Sequence, residues 1–157
     1  MKIGIVSDTH MINSNIDLAI PYLKKCDLIL HAGDNFEDSK YIHKETKVDI
    51  IAVKGNCDFE HVEDEILFEI ENKNIFLTHG HKYNVNFGIE ELQQKAQNVD
   101  ADIVVFGHTH IPLNIEKNGV LYLNPGSISL PRQKSQEKTF LILQIEEGKC
   151  CVKEVIL

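Results

Sequence analysis

Short apolar runs recur along the chain, and each gives way to a polar, glycine-containing cluster. Lys2 to Val6, Leu28 to Leu30, Asp49 to Val53, Ile75 to Leu77 and Ile103 to Phe106 are dominated by Ile, Leu and Val on consecutive positions. Continuous apolarity of this kind predicts strands buried on both faces. Helical spacing appears between the early runs. Asn15 to Lys25 puts Ile16, Ala19, Ile20 and Leu23 on one face, with Pro21 as a kink or as the true first turn. Phe36 to Thr46 reads as a more polar helix. Gly88 to Asn98 reads as a third, with Ile89, Leu92 and Ala96 on one side and Glu90 and Glu91 near its start, where the helix dipole favours negative charge.

Past Gly107 the pattern changes. Leu113 to Glu116 and Val120 to Leu123 flank Lys117-Asn118-Gly119, a strong hairpin signal. Thr139 to Ile145 and Cys150 to Ile156 flank Glu146 to Lys149 and predict a final hairpin. Alternating β and α followed by antiparallel strands predicts an α/β fold with mixed sheets and helices outside. No repeat or linker interrupts the 157 residues, so one domain spanning 1–157 is expected.

Composition narrows the classes. With 43% hydrophobic and 25% charged residues, the chain has the balance of a folded globular protein, not of a disordered one. Its apolar runs are too short to span a bilayer. The opening Met1 to Asp8 reads as a first strand, not as a secretion signal, so the expected location is the cytoplasm, without a membrane partner. The formal net charge of −8 disfavours bulk nucleic acid, because Lys and Arg facing phosphates supply most such affinity. A small phosphorylated ligand remains compatible with it. Cys26, Cys57, Cys150 and Cys151 have no C-x-x-C spacing and read as reduced thiols.

The chemistry lies at the ends of the apolar runs. They finish in Ser7-Asp8-Thr9-His10, His31-Ala32-Gly33-Asp34, Lys54-Gly55-Asn56-Cys57-Asp58, Thr78-His79-Gly80-His81 and Gly107-His108-Thr109-His110. Open α/β sheets bind ligands at the carboxyl ends of their strands, so five ends deliver these groups to one rim. Asp8 and His10 alternate, as do His108 and His110. In extended backbone each pair would point one way and clasp one ion. Glycines at 33, 55, 80 and 107 permit sharp turns and close approach. Imidazole, carboxylate and amide oxygen together suit Mn, Fe, Co, Ni or Zn and are too nitrogen-rich for Mg or Ca alone.

Taken in order, Asp8-x-His10, Gly33-Asp34, Gly55-Asn56, His79 and Gly107-His108-Thr109-His110 resemble the calcineurin-like metallophosphoesterase superfamily. The short length, with Asn124-Pro125-Gly126-Ser127 and Arg132, resembles its small, cap-free YfcE-type phosphodiesterase branch. The resemblance covers nearly the whole chain. It implies a four-layer sandwich, two mixed β-sheets flanked by helices. It also implies two divalent metal ions, manganese first, with nickel, cobalt, iron or zinc as alternatives. Asp8, His10, Asp34 and His110 would hold one ion; Asp34 would bridge to a second, held also by Asn56, His79 and His108. The implied reaction is hydrolysis of small phosphate diesters by in-line attack of a metal-bridging hydroxide. Two ions about 3.5–4 Å apart acidify a shared water and clamp the attacking and leaving oxygens.

One position departs from many relatives, which carry His after the Asn of the third motif. Cys57 stands there, a poorer proton donor than imidazole, so good leaving groups should be favoured. His81, two residues beyond His79, is a substitute acid. Other residues have plainer readings. His31 reads as a core or supporting histidine, His43 and His61 as solvated, and Arg132 as a surface arginine. Asn124 to Ser127 reads first as a turn, with support of the site rim as its functional alternative, and Glu60 to Glu65 as a solvated loop leading into a strand at Ile66. Two further readings accompany the phosphodiesterase. One is a phosphomonoesterase or nucleotidase of the same superfamily, against which stands the absence of a cap-like segment. The other is a non-catalytic scaffold like the retromer subunit, whose ligand set is incomplete whereas none is missing here. A homo-oligomer is compatible with all three.

Overall fold

The apolar runs become strands whose successive side chains enter different cores. The computed structural model describes residues 1–157. In chain order it contains β1 (Lys2–Val6), α1 (Asn13–Leu23), β2 (Leu28–His31), α2 (Phe36–Thr46), β3 (Ile50–Ala52), β4 (Glu65–Ile70) and β5 (Lys73–Thr78). A 3-10 turn at His81–Tyr83 follows, then α3 (Glu90–Asn98), β6 (Ile103–Val105), β7 (Pro112–Lys117), β8 (Val120–Pro125), β9 (Thr139–Glu146) and β10 (Lys149–Ile156). One sheet has the order β10-β9-β1-β2-β3 and the other β4-β5-β6-β8-β7. Within the first, β1, β2 and β3 are parallel; within the second, β5, β6 and β8 are. The remaining strands pair antiparallel at the edges, among them both hairpins expected from the turn residues.

Strand periodicity explains the layering. Ile3, Ile5, Leu28, Leu30, Leu141 and Leu143 face Ile75, Leu77, Ile103, Val105 and Leu123 in a core between the two sheets. The alternate positions face outward. Val6, Ile29 and Phe140 meet Ile16, Ala19, Ile20 and Leu23 of α1 and Ile42 of α2. Phe76, Val104 and Tyr122 meet Leu92 and Ala96 of α3. Each such buried side chain contributes about 1.5–3 kcal/mol relative to exposure, so apolar residues are needed on both faces of every central strand. The four layers expected from the resemblance follow from this.

Helix limits differ from expectation at two glycine or proline positions. α1 begins two residues earlier, and Pro21 lies in its last turn, not its first, where loss of an N–H donor interrupts little of the remaining helix. α3 starts at Glu90 because Gly88 has φ of +146°, outside helical backbone. No helix is long and apolar enough to cross a membrane.

Candidate metal centre

Six parallel strands end on one rim. β1 leads into Asp8 and His10, β2 into Asp34, β3 through Lys54 and Gly55 into Asn56, β5 into His79, and β6 into His108 and His110. The sixth, β8, ends at Asn124 and Pro125 and supports the others. Asp8, Asp34, His79 and His110 are buried, with exposures between 0% and 2%. His10 and His108 are half-buried and Asn56 is exposed, so the rim is open to solvent on one side.

The backbone here is not extended. Asp8, His10, Asp34, His108 and His110 all have φ between +49° and +68°. Non-glycine residues in that region cost about 1–3 kcal/mol each and cluster at functional sites, where surrounding structure enforces them. Alternation along an extended strand is therefore not what aims these side chains, and His108 and His110 do not clasp one ion as a pair. Their rings part company. His110 Nε2 lies 3.2 Å from Asp8 Oδ1 and 3.4 Å from His10 Nε2. His108 Nδ1 lies 3.3 Å from His79 Nε2, which is also 3.2 Å from Asn56 Oδ1 and 3.5 Å from Asp34 Oδ1.

Two groups of donors result, one around Asp8, His10 and His110, the other around Asp34, Asn56, His79 and His108. Potential ligand atoms of Asp8, Asp34 and His79 lie within 4.8 Å of one another, as do those of His10, Asp34 and Cys57. Asp8 as well as Asp34 thus touches both groups.

Main-chain carbonyls set the tautomers of the two buried rings. His79 Nδ1 is 2.7 Å from Ala32 O, and His110 Nδ1 is 2.6 Å from Leu130 O. A carbonyl only accepts, so Nδ1 carries the proton and the neutral ring turns a lone pair on Nε2 inward. Asp8 Oδ1 is buried without a hydrogen-bond donor, although His110 Nε2 faces it. Acceptors facing acceptors leave positions that a cation satisfies, and the donor set of imidazoles, carboxylates and one amide suits a transition metal. The residues fit the metals implied by the resemblance.

Electrostatics agree. At His79 burial lowers the pKa, but the hydrogen bond to Asp34 and the charge of Asp8 outweigh it and raise the pKa above the ordinary value. Asp34 is held below the usual carboxylate range: burial acts upward, and the His79 contact and the Cys57 N–H overcome it. Burial lowers His10 and His108. A metal ion bound at His79 Nε2 would compete with a proton for that nitrogen.

Asp58 and Ser129 have positioning roles not expected from the sequence, and Asn124 to Ser127 takes the rim-supporting role that stood second to a turn. Asp58 accepts the backbone N–H groups of Gly55 at 2.7 Å, Phe36 at 2.8 Å and Asp34 at 3.1 Å. Asn124 donates to Gly107 O at 2.8 Å, Ser127 Oγ to Asp8 O at 2.7 Å and Ser129 Oγ to Thr9 O at 2.6 Å. Asn124 to Ser127 therefore braces two ligand loops and is more than a turn. His31 has the supporting role expected of it. It accepts from Gly33 N at 3.2 Å through Nδ1 and meets Thr9 Oγ1 at 3.1 Å through Nε2, and Thr9 donates to Asp38 at 2.5 Å. Asn86 Nδ2 lies 3.0 Å from His108 Nε2. Nothing local in the sequence marks these partners, which come from distant segments.

The remaining candidates lie at the margin. The His81 ring centroid is 5.4 Å from that of His79 and 6.2 Å from that of His108; its Nδ1 is buried without a partner, and burial lowers its pKa. The Cys57 N–H donates to Asp34 Oδ1 at 2.9 Å, and burial with the Asp34 carboxylate pushes its thiol up to about 11. Arg132 is exposed, with its N–H bound to His110 O at 3.2 Å. His43 and His61 are exposed as expected. Glu65 departs from the solvated loop: it begins β4 and receives Tyr83 and Lys95.

Two mixed five-stranded sheets flanked by helices are the architecture of metallophosphoesterases. Residues 1–148 match the calcineurin-like phosphoesterase superfamily domain, and the chain belongs to that superfamily of phosphoric ester hydrolases. Probable metallophosphoesterase YsnB of Bacillus subtilis (strain 168) is 32% identical over 155 residues, which cover 98% of this chain and 89% of that protein. A solved structure described as a novel archaeal phosphodiesterase is 30% identical with a TM-score of 0.81, covering 100% of both chains. Wild-type Vps29 of Entamoeba histolytica, solved with zinc, shares the fold at 21% identity and a TM-score of 0.78, over 99% of each chain.

Proposed function

We propose that the protein is a binuclear metal-dependent phosphodiesterase of small phosphate diesters, with residues 1–157 acting as one domain. The observation that carries this reading is the convergence of seven donors in two groups that share carboxylates. Asp8, His10, Asp34 and His110 would hold one ion, and Asp34, Asn56, His79 and His108 the second. When bound, such ions supply an acidified water and positive charge opposite the phosphoryl oxygens. Manganese is the first choice, with nickel, cobalt, iron and zinc compatible with the donors.

The chain's own groups do the rest. Ala32 and Leu130 carbonyls orient His79 and His110, and the Asp58 carboxylate sets the loops bearing Asp34 and Asn56. Two dications set against two carboxylates and a hydroxide leave about one net positive charge, enough for a phosphodiester monoanion despite the acidic surface. Between the two proton-donor candidates, His81 is preferred as general acid. Its Nδ1 has no partner, its ring borders the cluster, and an imidazole is a better-matched proton donor than a thiol, although burial lowers the His81 pKa. The complete donor set favours catalysis over a scaffold role. Four free cysteines, three of them exposed, suit a reducing compartment such as the cytoplasm.

The test uses chelator-stripped protein with Mn, Ni, Co, Zn or Mg restored separately. The substrates are bis-p-nitrophenyl phosphate and p-nitrophenyl phosphate. Diester cleavage restored by a transition metal, with slow monoester cleavage, is the expected result, and Asp34→Ala and His79→Ala should abolish it. Full activity in either variant, or faster monoester than diester cleavage, overturns the reading.

A further inference from the structure

Beside the histidine cluster lies a pocket that the donors do not use. Its volume is about 280 Å³, and Val85, Ile89, Phe106, Ile111 and Leu113 form most of its wall. Val85 and Phe106 are buried, while Ile111 is 46% exposed. Pro112 and two polar side chains, Asn86 and Thr109, complete the lining. Both belong to the site already described: Asn86 contacts His108, and Thr109 stands between His108 and His110. The apolar pocket and the donor cluster are therefore contiguous.

Size and polarity restrict what fits. An apolar cavity of about 150 Å³ accepts benzene, so this one has room for a substituted or fused ring. Its polar groups offer little. Thr109 Oγ1 donates to Ile111 O and accepts from Ile111 N and Asn124 Nδ2, and one N–H of the exposed Asn86 amide is turned to His108. A nucleobase placed there would find one side-chain amide, that of Asn86, for its several ring nitrogens and amino groups and would leave the rest without partners, a cost an apolar ring avoids.

We propose that this pocket receives the organic arm of the phosphate ester held at the donor cluster, and that the arm is an apolar aromatic ring and not a nucleobase. The phosphoryl end of this assignment rests on the phosphodiesterase reading; the ligand class of the pocket rests on its walls.

Zinc-loaded protein with labelled methyl groups is titrated with naphthylmethylphosphonate, methylphosphonate and an adenine-bearing ethylphosphonate, none of which contains a cleavable ester. The naphthyl compound should bind about tenfold or more tightly than either of the others and shift the methyl signals of Ile89, Ile111 and Leu113. Ile111→Asp, which charges the wall, and Ile89→Trp, which fills the space, should each remove most of that preference. Equal affinities, shifts absent from these methyl groups, a preference that survives both variants, or an adenine compound that binds as well would each overturn the proposal. Turnover of bis-p-nitrophenyl phosphate is followed with the same protein loaded with zinc or manganese. Naphthyl-dependent shifts without turnover overturn the phosphodiesterase reading and leave the pocket's ligand class standing. Turnover without those shifts overturns the pocket.

Discussion

Asp58 holds Asp34 through the backbone: one carboxylate oxygen accepts the Asp34 N–H at 3.1 Å and the Gly55 N–H at 2.7 Å, while the other accepts Phe36 N–H at 2.8 Å. One side chain thereby ties the loop after β2 to the loop after β3. Asp58→Ala leaves three amides without their acceptor and should cost about 2–4 kcal/mol. Metal affinity should fall by about 10–100-fold, as for other supports of ligand geometry. Asp58→Asn retains an acceptor oxygen and should lose less of both. Urea denaturation and metal titration check this; an unchanged affinity in Asp58→Ala would show that Asp34 needs no such tie.

Gly55 packs directly against the Asp34 carboxylate. A Cβ added there would lie 2.1 Å from Asp34 Oδ1 and 2.7 Å from Asp34 N. Gly55→Ala must displace Asp34 or its loop, so metal binding should weaken by about tenfold or more. The helix and sheet signal in circular dichroism should persist, because the central core is remote from this contact.

Leu30 tests the layer between the sheets. It is fully buried and belongs to the core that both sheets share. Leu30→Ala should destabilise the fold by about 2–5 kcal/mol, combining lost transfer energy with a residual cavity. Urea unfolding should show a lower midpoint at an unchanged slope.

Glu65, opposite Thr78 in the strand pair that leads to His79, gives an acid-sensitive contact outside the donor cluster. Burial acts to raise its pKa, but the Tyr83 hydroxyl and Lys95 overcome this and lower it below the ordinary 4.5. A depressed carboxylate contributes its stability fully above the unfolded pKa and loses it as pH falls through the folded pKa. Wild-type stability should therefore drop below about pH 4.5. Glu65→Gln should flatten that acid limb while lowering stability at neutral pH, measurable as urea midpoints across a pH series.

Much of this fold was legible because its determinants are contiguous. Each central strand is a short apolar run, and each is followed at once by the residues it delivers, as Leu28 to Leu30 is by Asp34. Supporting contacts were harder to read. Ser127 braces Asp8 across a separation of 119 residues, and Asn124 reaches back 17 residues to Gly107. Asp58 closely follows Asn56 in the chain, yet its role depends on the Asp34 and Phe36 amides of another loop.

Sequence by itself determined the alternation of strands and helices, the burial of both strand faces, and the delivery of Asp8, His10, Asp34, Asn56, His79, His108 and His110 to strand ends. Those follow from local periodicity and local turn chemistry. The family resemblance already set His108 with His79 and His110 with Asp8, against the alternation of the residues; what only tertiary structure decided is how the two rings are turned apart. Left-handed backbone at His108 and His110, and a carbonyl from Leu130, send two neighbouring histidines in different directions. Such a choice is made by packing between distant segments, and no spacing along the chain encodes it.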